Sequence, residues 1–380
     1  MNKVKYLEGL RGVASLLVVF NHFIVAFYPA AYFMNKEQIH TKNGIEMLIG
    51  QTPFNILFTG NLSVCIFFVL SGYVLSYYYF LNGNLNVITS NAYRRYFRLL
   101  SPVFISSLIS FIFIKLSLFF NLEASRLTFS GAWLGELWKT DASLISFFKT
   151  TLYDVFINGD STYNTVLWTM SWEFKGSFLI FAVVAIFGRS NYRWLVYPIV
   201  MILTFNSYYL VFIAGMVLAD YKASDFKIKN ILSNPFLNGI LILIGLYLGS
   251  YPMNYRGSIY SLISDLSWAD PVRFHMIGAT ILLFLIINLQ VFQNFFANRF
   301  FVYLGRISFS MYLLHVIVIG SFSCYLFMKM YPYFSYSTSV IITFAISMLL
   351  IFIISHLFSI FVDEPSVRVL KKMNVKFHKM

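Results

Sequence analysis

YLEGLRGVASLLVVFNHF, residues 6–23, is an apolar helix that opens on an arginine, Arg11, and carries a histidine, His22, inside it. A run of about twenty apolar residues is what crosses the roughly 30 Å hydrocarbon core of a bilayer. This one continues to Pro29 without a small-residue cleavage site, so it reads as a retained membrane helix and not as a signal peptide. Runs of the same kind recur to the end of the 380-residue chain, which is 59% hydrophobic, 20% aromatic and only 11% charged. A soluble domain averages about 25% charged residues.

Outward from this first run, apolar spans fall near 8–30, 55–81, 99–120, 164–187, 194–206, 207–221, 235–251, 272–290, 307–328 and 336–361. The pattern predicts an all-α integral membrane protein of about ten transmembrane helices. The fifth and sixth are short, and are also readable as one broken helix. No stretch of fifty residues is polar enough to form a soluble module, so residues 1–380 are expected to form one membrane domain. Lys and Arg gather in alternate connections and at both ends, which puts both termini on the cytoplasmic side of an inner or plasma membrane. The same rule accounts for the net charge of +13, which therefore calls for no nucleic acid partner. Of the two long outer loops, 31–54 and 121–163, the second holds Trp133, Trp138 and Tyr153 and is expected to lie partly on the membrane surface among lipid headgroups. Cys65 and Cys324 sit in apolar runs and read as plain buried thiols.

Arg11 and His22 stand eleven residues apart, about 16 Å along a helix and about 20° past three full turns. They share a face, with Gly12 and Ser15 on or near the same stripe. Arginine forks suit phosphates, and an ionisable group at membrane depth is a functional candidate by default. A cytosolic ligand with phosphates at one end and a reactive group about 16 Å further in would meet both. Taken singly, Arg11 also reads as a snorkelling interface anchor and His22 as a helix-packing group.

YLEGLRGVASLLVVFNH resembles the opening signature of the acyltransferase family 3 membrane proteins, whose first helix carries an arginine, ten residues and then a histidine. FFVLSGYVLS (67–76), YRRYFRLLSP (93–102), LWTMSWE (167–173), LGRISFSMYLLH (304–315) and DEP (363–365) follow in the family's order, over nearly the whole chain. The resemblance implies transfer of an acyl group, commonly acetyl, from cytosolic acyl-CoA to hydroxyls of cell-surface carbohydrates. It implies no tightly bound cofactor beyond the donor, here acetyl-CoA. The chain is expected to lack the extracytoplasmic hydrolase-like domain of some members.

The remaining polar positions acquire roles on that basis. Glu173 would be costly in a membrane span without a partner, and His22 or a basic group is expected to supply one; Trp172 precedes it on the cavity wall. Ser71 and Gly72 match the family motif and are expected to line the donor channel, although plain helix packing explains them too. Arg94, Arg95 and Arg98, interleaved with aromatic residues, suit the nucleotide end of coenzyme A, or equally anionic lipid; Arg98 is favoured by the motif. Ser308, Tyr312 and His315 share a face that would form a second polar wall. Glu364 is expected to pair with a cytoplasmic arginine in a structural role.

No phosphate-cradling glycine loop, HExxH or dense Asp cluster occurs, which argues against nucleotide hydrolases, zinc proteases and metal-dependent sugar transferases. His22 is expected to act as general base or to carry the acyl group itself. The rival is a transporter of a lipid-linked sugar or small solute that uses His22 and Glu173 as a proton relay.

Overall fold

The computed structural model describes residues 4–377 except 141, 225–233, 256, 258 and 267. Its principal helices are α1 (Lys5–Phe27), α2 (Gly60–Asn82), α3 (Asn86–Lys115), α4 (Trp168–Phe187), α5 (Arg193–Leu203), α6 (Tyr209–Ala223), α7 (Pro235–Gly249), α8 (Pro271–Asn288), α9 (Arg299–Val318) and α10 (Tyr336–Phe358). A π-helical turn, Ile319–Ser323, carries α9 on to Met330, and another, Ser359–Asp363, carries α10 on to Phe377. Helix starts follow local chemistry: Asn234, Asp270, Asn298 and Ser335 each accept a backbone N–H from the first turn beyond them, and Pro235 and Pro271 occupy first helical positions.

Among the described residues, seven helices are long and apolar enough to cross a membrane: α1, α2, α3, α4, α8, α9 and α10. The other three expected spans fall on the shorter helices α5, α6 and α7, of 11, 15 and 15 residues. At 1.5 Å per residue these reach about 16–23 Å, less than the hydrocarbon thickness. The fifth and sixth are two helices separated by a turn at 204–208 and not one broken helix.

Small residues set the packing. Lipid is as apolar as a leucine side chain, so membrane helices associate through close backbone approach. A Cβ placed on Gly12 would lie 2.5 Å from the Gly305 nitrogen, and one on Gly305 would lie 2.1 Å from the Glu8 carbonyl oxygen. α1 and α9 therefore touch backbone to backbone, with Ser15 donating to the Ser308 carbonyl at 2.9 Å. α2 and α6 meet the same way, through Gly72 against Phe212 and Gly215 against Val69.

The connection from α3 to α4 is tied to the helices by its own hydrogen bonds. Its Phe120 amide donates to the Gly320 carbonyl (2.9 Å), Ser130 to the Val25 carbonyl (2.7 Å) and the Asn164 amide to the Leu313 carbonyl (2.6 Å). Trp138 stacks on Phe119 with ring centroids 3.7 Å apart and packs against Gly320. Trp133 and Trp138 thus face the helix ends, while Tyr153 is 55% exposed. The Gly320 carbonyl tied in this way lies inside the π turn of α9, where the regular helical pattern is interrupted.

Candidate active site

Six helices enclose a cavity of about 610 Å³. Its lining includes Glu8 and Arg11 from α1; Phe67, Phe68 and Ser71 from α2; Arg95, Arg98 and Leu99 from α3; and Thr169, Met170 and Glu173 from α4. α9 adds Gly305, Arg306, Ser308, Phe309 and Tyr312, and the continuation of α10 adds Asp363, Glu364 and Arg368. Charge gathers at the end formed by the start of α1 and the far end of α10; the walls then turn apolar through Phe67, Phe68 and Met170.

The five lining arginines face four lining carboxylates. Arg11 donates to Glu8 at 2.7 Å, Arg98 to Asp363 at 2.6 Å and Arg306 to Glu364 at 2.6 Å, with Arg368 3.6 Å from the second Glu364 oxygen. Arg95 and the Ser71 hydroxyl both donate to Glu173. Of the two partners expected for Glu173, the structure places the basic one there and not His22. Such pairing suits a low-dielectric wall, since a lone charge would be strongly disfavoured. Each guanidinium carries five N–H donors, so a paired arginine keeps donors for a second anion. Arg98 also lies over the Phe309 ring, 5.5 Å from its centroid.

Several expected residues stand elsewhere. Arg94 folds back along its own helix to the Ser90 carbonyl (3.0 Å) and Asn91 (3.1 Å), off the cavity wall. Gly72 belongs to the α2–α6 contact, where the missing side chain admits the Phe212 carbonyl. Trp172 packs on Tyr208 and Tyr209, and Ser15 is spent on the α1–α9 contact. His22 is not on the cavity wall either. Arg11 lines the mouth, but one turn-and-a-half short of the helix end His22 lies behind Tyr312, whose ring centroid is 6.1 Å from that of His315. The Tyr312 hydroxyl bonds Thr169 Oγ1 at 2.8 Å and the Val166 carbonyl at 3.0 Å, closing the inner end.

Behind that layer the two histidines meet. His22 Nδ1 is 2.7 Å from His315 Nε2, and the imidazoles meet edge to edge, near-coplanar at 19°, with centroids 5.0 Å apart. Trp133, from the α3–α4 connection, stacks on His22 at 5.2 Å and 10°. Sequence reasoning missed Trp133, whose loop carries no periodicity that would aim it inward. It also missed Glu8 and Arg306 and assigned Glu364 to structure alone, although the spacing of Glu8 and Arg11 at i, i+3 is a readable pairing signal.

No solved structure matches this chain. O-acetyltransferase PaAT-1 of Phomopsis amygdali is 24% identical over 366 residues, an alignment covering 83% of this chain and 72% of the relative. Acyltransferase R4 of a Phoma species is 22% identical, covering 97% of this chain and 95% of the relative. A profile described as an acyltransferase domain matches residues 4–359, and with seven helices among the described residues long and apolar enough to cross a membrane, the chain belongs to the acyltransferase 3 family of multi-pass membrane proteins.

Proposed function

We propose that the protein transfers an acyl group, acetyl in the first instance, from cytosolic acyl-CoA to a hydroxyl of a cell-surface carbohydrate or its lipid-linked precursor, in the cytoplasmic or plasma membrane with both termini inside. The observation that carries this reading is the cavity itself: an arginine-rich mouth, an apolar interior and a histidine pair one aromatic layer beyond its inner end. Arginine forks at the mouth suit the donor's phosphates and the Phe309 face suits its adenine. The name O-acetyltransferase carried by the Phomopsis relative supports acetyl and a hydroxyl acceptor.

A thioester is already activated, so the protein's task is to make a hydroxyl nucleophilic and to hold the two reactants in line. General-base help from a histidine is worth roughly 10²–10⁴-fold, and positioning supplies several kcal/mol more. Arg11 and Arg98 hold the donor and His22 takes the hydroxyl proton, or else accepts the acyl group and passes it outward. Rotation of Tyr312 off Thr169 brings donor and histidine together.

The test uses full-length protein in detergent and acetyl-CoA labelled in the acetyl group. Wild type is expected to bind the donor and slowly release labelled acetate, Arg11→Ala to lose at least tenfold in binding, and His22→Ala to bind normally without turnover. Absence of donor binding by wild type would end the acyltransferase reading of this cavity.

A further inference from the structure

His315 is the fully buried partner of His22, and its surroundings settle which nitrogen carries which proton. His315 Nδ1 lies 2.9 Å from the Met311 carbonyl oxygen, one turn back on α9. A carbonyl oxygen only accepts, so Nδ1 of His315 bears hydrogen. In a neutral imidazole the other nitrogen then carries the lone pair, and a dry interior disfavours the charged ring. His315 Nε2 is therefore an acceptor, and the 2.7 Å contact is donated by His22 Nδ1–H. That leaves the lone pair of His22 on Nε2, which bonds to no group among the described residues. Trp133 covers one face of the His22 ring and the in-plane hydrogen bond to His315 holds its Nδ1 edge, so the orientation is held from two directions.

We propose that His315 is a positioning residue that fixes His22 as the Nδ1–H tautomer and thereby makes Nε2 the reacting atom, in place of the carboxylate that usually orients a catalytic histidine. This rests on the acyl-transfer reading above. In the step it supports, the acceptor O–H bond breaks, its proton goes to His22 Nε2, and the oxygen forms a bond to the thioester carbonyl carbon. The carbon–sulfur bond then breaks and the proton passes from Nε2 to the departing thiolate, giving ester and free coenzyme A thiol. While the ring is cationic, Nδ1–H···Nε2 becomes a charge-assisted hydrogen bond, shorter and stronger than the neutral one. The backbone carbonyl of Met311 is the last link of the chain, and a carbonyl dipole serves there without adding a buried charge.

The experiment measures acetyl-CoA binding and acetyl-CoA hydrolysis by full-length His22→Ala, His315→Phe and His315→Gln in detergent, with water as the acceptor. His315→Phe fills the space without an acceptor and is expected to lose about 10²–10⁴-fold in hydrolysis, the scale of general-base catalysis, with donor affinity unchanged. His315→Gln offers an amide oxygen to His22 Nδ1–H and is expected to recover at least tenfold over His315→Phe. Hydrolysis by His315→Phe within threefold of wild type, beside an inactive His22→Ala, would overturn the role of His315 and leave the acyl-transfer reading standing. Equal losses in His315→Phe and His315→Gln would overturn it too, because an acceptor restored to His22 Nδ1–H would then recover nothing. An active His22→Ala would remove both.

Discussion

Gly12→Ala is a single added methyl that should reach the chemistry from ten residues away. The new Cβ would meet the Gly305 nitrogen at 2.5 Å, the Leu304 Cβ at 2.6 Å and the Leu304 carbonyl carbon at 2.7 Å, where ordinary contact begins at 3.4 Å. Two of the three atoms are backbone, so nothing rotates out of the way and α1 must leave α9 by about 0.9 Å, the shortfall at the closest contact. Carried along the helix, that shift lengthens the 2.7 Å His22–His315 contact to about 3.6 Å, which is no longer a hydrogen bond. The Ser15–Ser308 bond at 2.9 Å opens by the same amount. Overpacking costs about 1–3 kcal/mol, and a misplacement of about 1 Å can cost 10²-fold in rate. Gly239→Ala is the control: it lies within α7 with nothing within 4 Å of the added carbon, and should gain about 0.5–1 kcal/mol of helix stability. Thermal unfolding in detergent and acetyl-CoA hydrolysis are compared for the two variants. If Gly12→Ala matches Gly239→Ala in both, the α1–α9 contact does not hold the histidine pair in place.

Two further outcomes are expected. Glu173→Gln removes the charge facing Arg95, whose side chain is only 12% exposed against 15% for Glu173, and breaking such a pair costs about 3–5 kcal/mol; in a double-mutant cycle with Arg95→Met the two losses should couple by more than 1 kcal/mol, and simple additivity would show that the pair is not formed. His40, in the connection from α1 to α2, is stacked between Tyr336 (3.7 Å) and Phe129 (4.8 Å), and burial holds its pKa below the ordinary histidine value of 6.5, against the opposing pull of the Thr128 carbonyl and Glu46. The native state therefore prefers the neutral ring: loop stability is complete above pH 6.5 and falls as the pH drops from there toward the lowered native pKa. Hydrogen exchange of residues 36–46 should show that dependence in wild type and lose it in His40→Phe; a slope unchanged in the variant would assign it to another group.

The all-helical membrane architecture follows from apolar run length, because a bilayer demands about twenty apolar residues per crossing and leaves few other choices. The sequence by itself therefore put an expected span on each of the seven helices that are long and apolar enough to cross a membrane among the described residues, and the first of them already marked Arg11 and His22. It also named Arg95, Arg98, Ser71, Glu173, Ser308 and Tyr312, which line one cavity although they stand on the second, third, fourth and ninth helices. Only the tertiary structure decided the partners. Which carboxylate meets which arginine depends on helix rotation and depth, and periodicity leaves both open to within a turn, so Glu173 goes to Arg95 and Asp363 to Arg98. The same turn separates Arg94, folded along its own helix, from Arg95 on the cavity wall. His22 and His315 lie 293 positions apart, and their contact exists because Gly12 and Gly305 let two backbones touch. Trp133 reaches His22 from a connection with no regular pattern, where direction is set by hydrogen bonds to distant carbonyls that no local rule encodes.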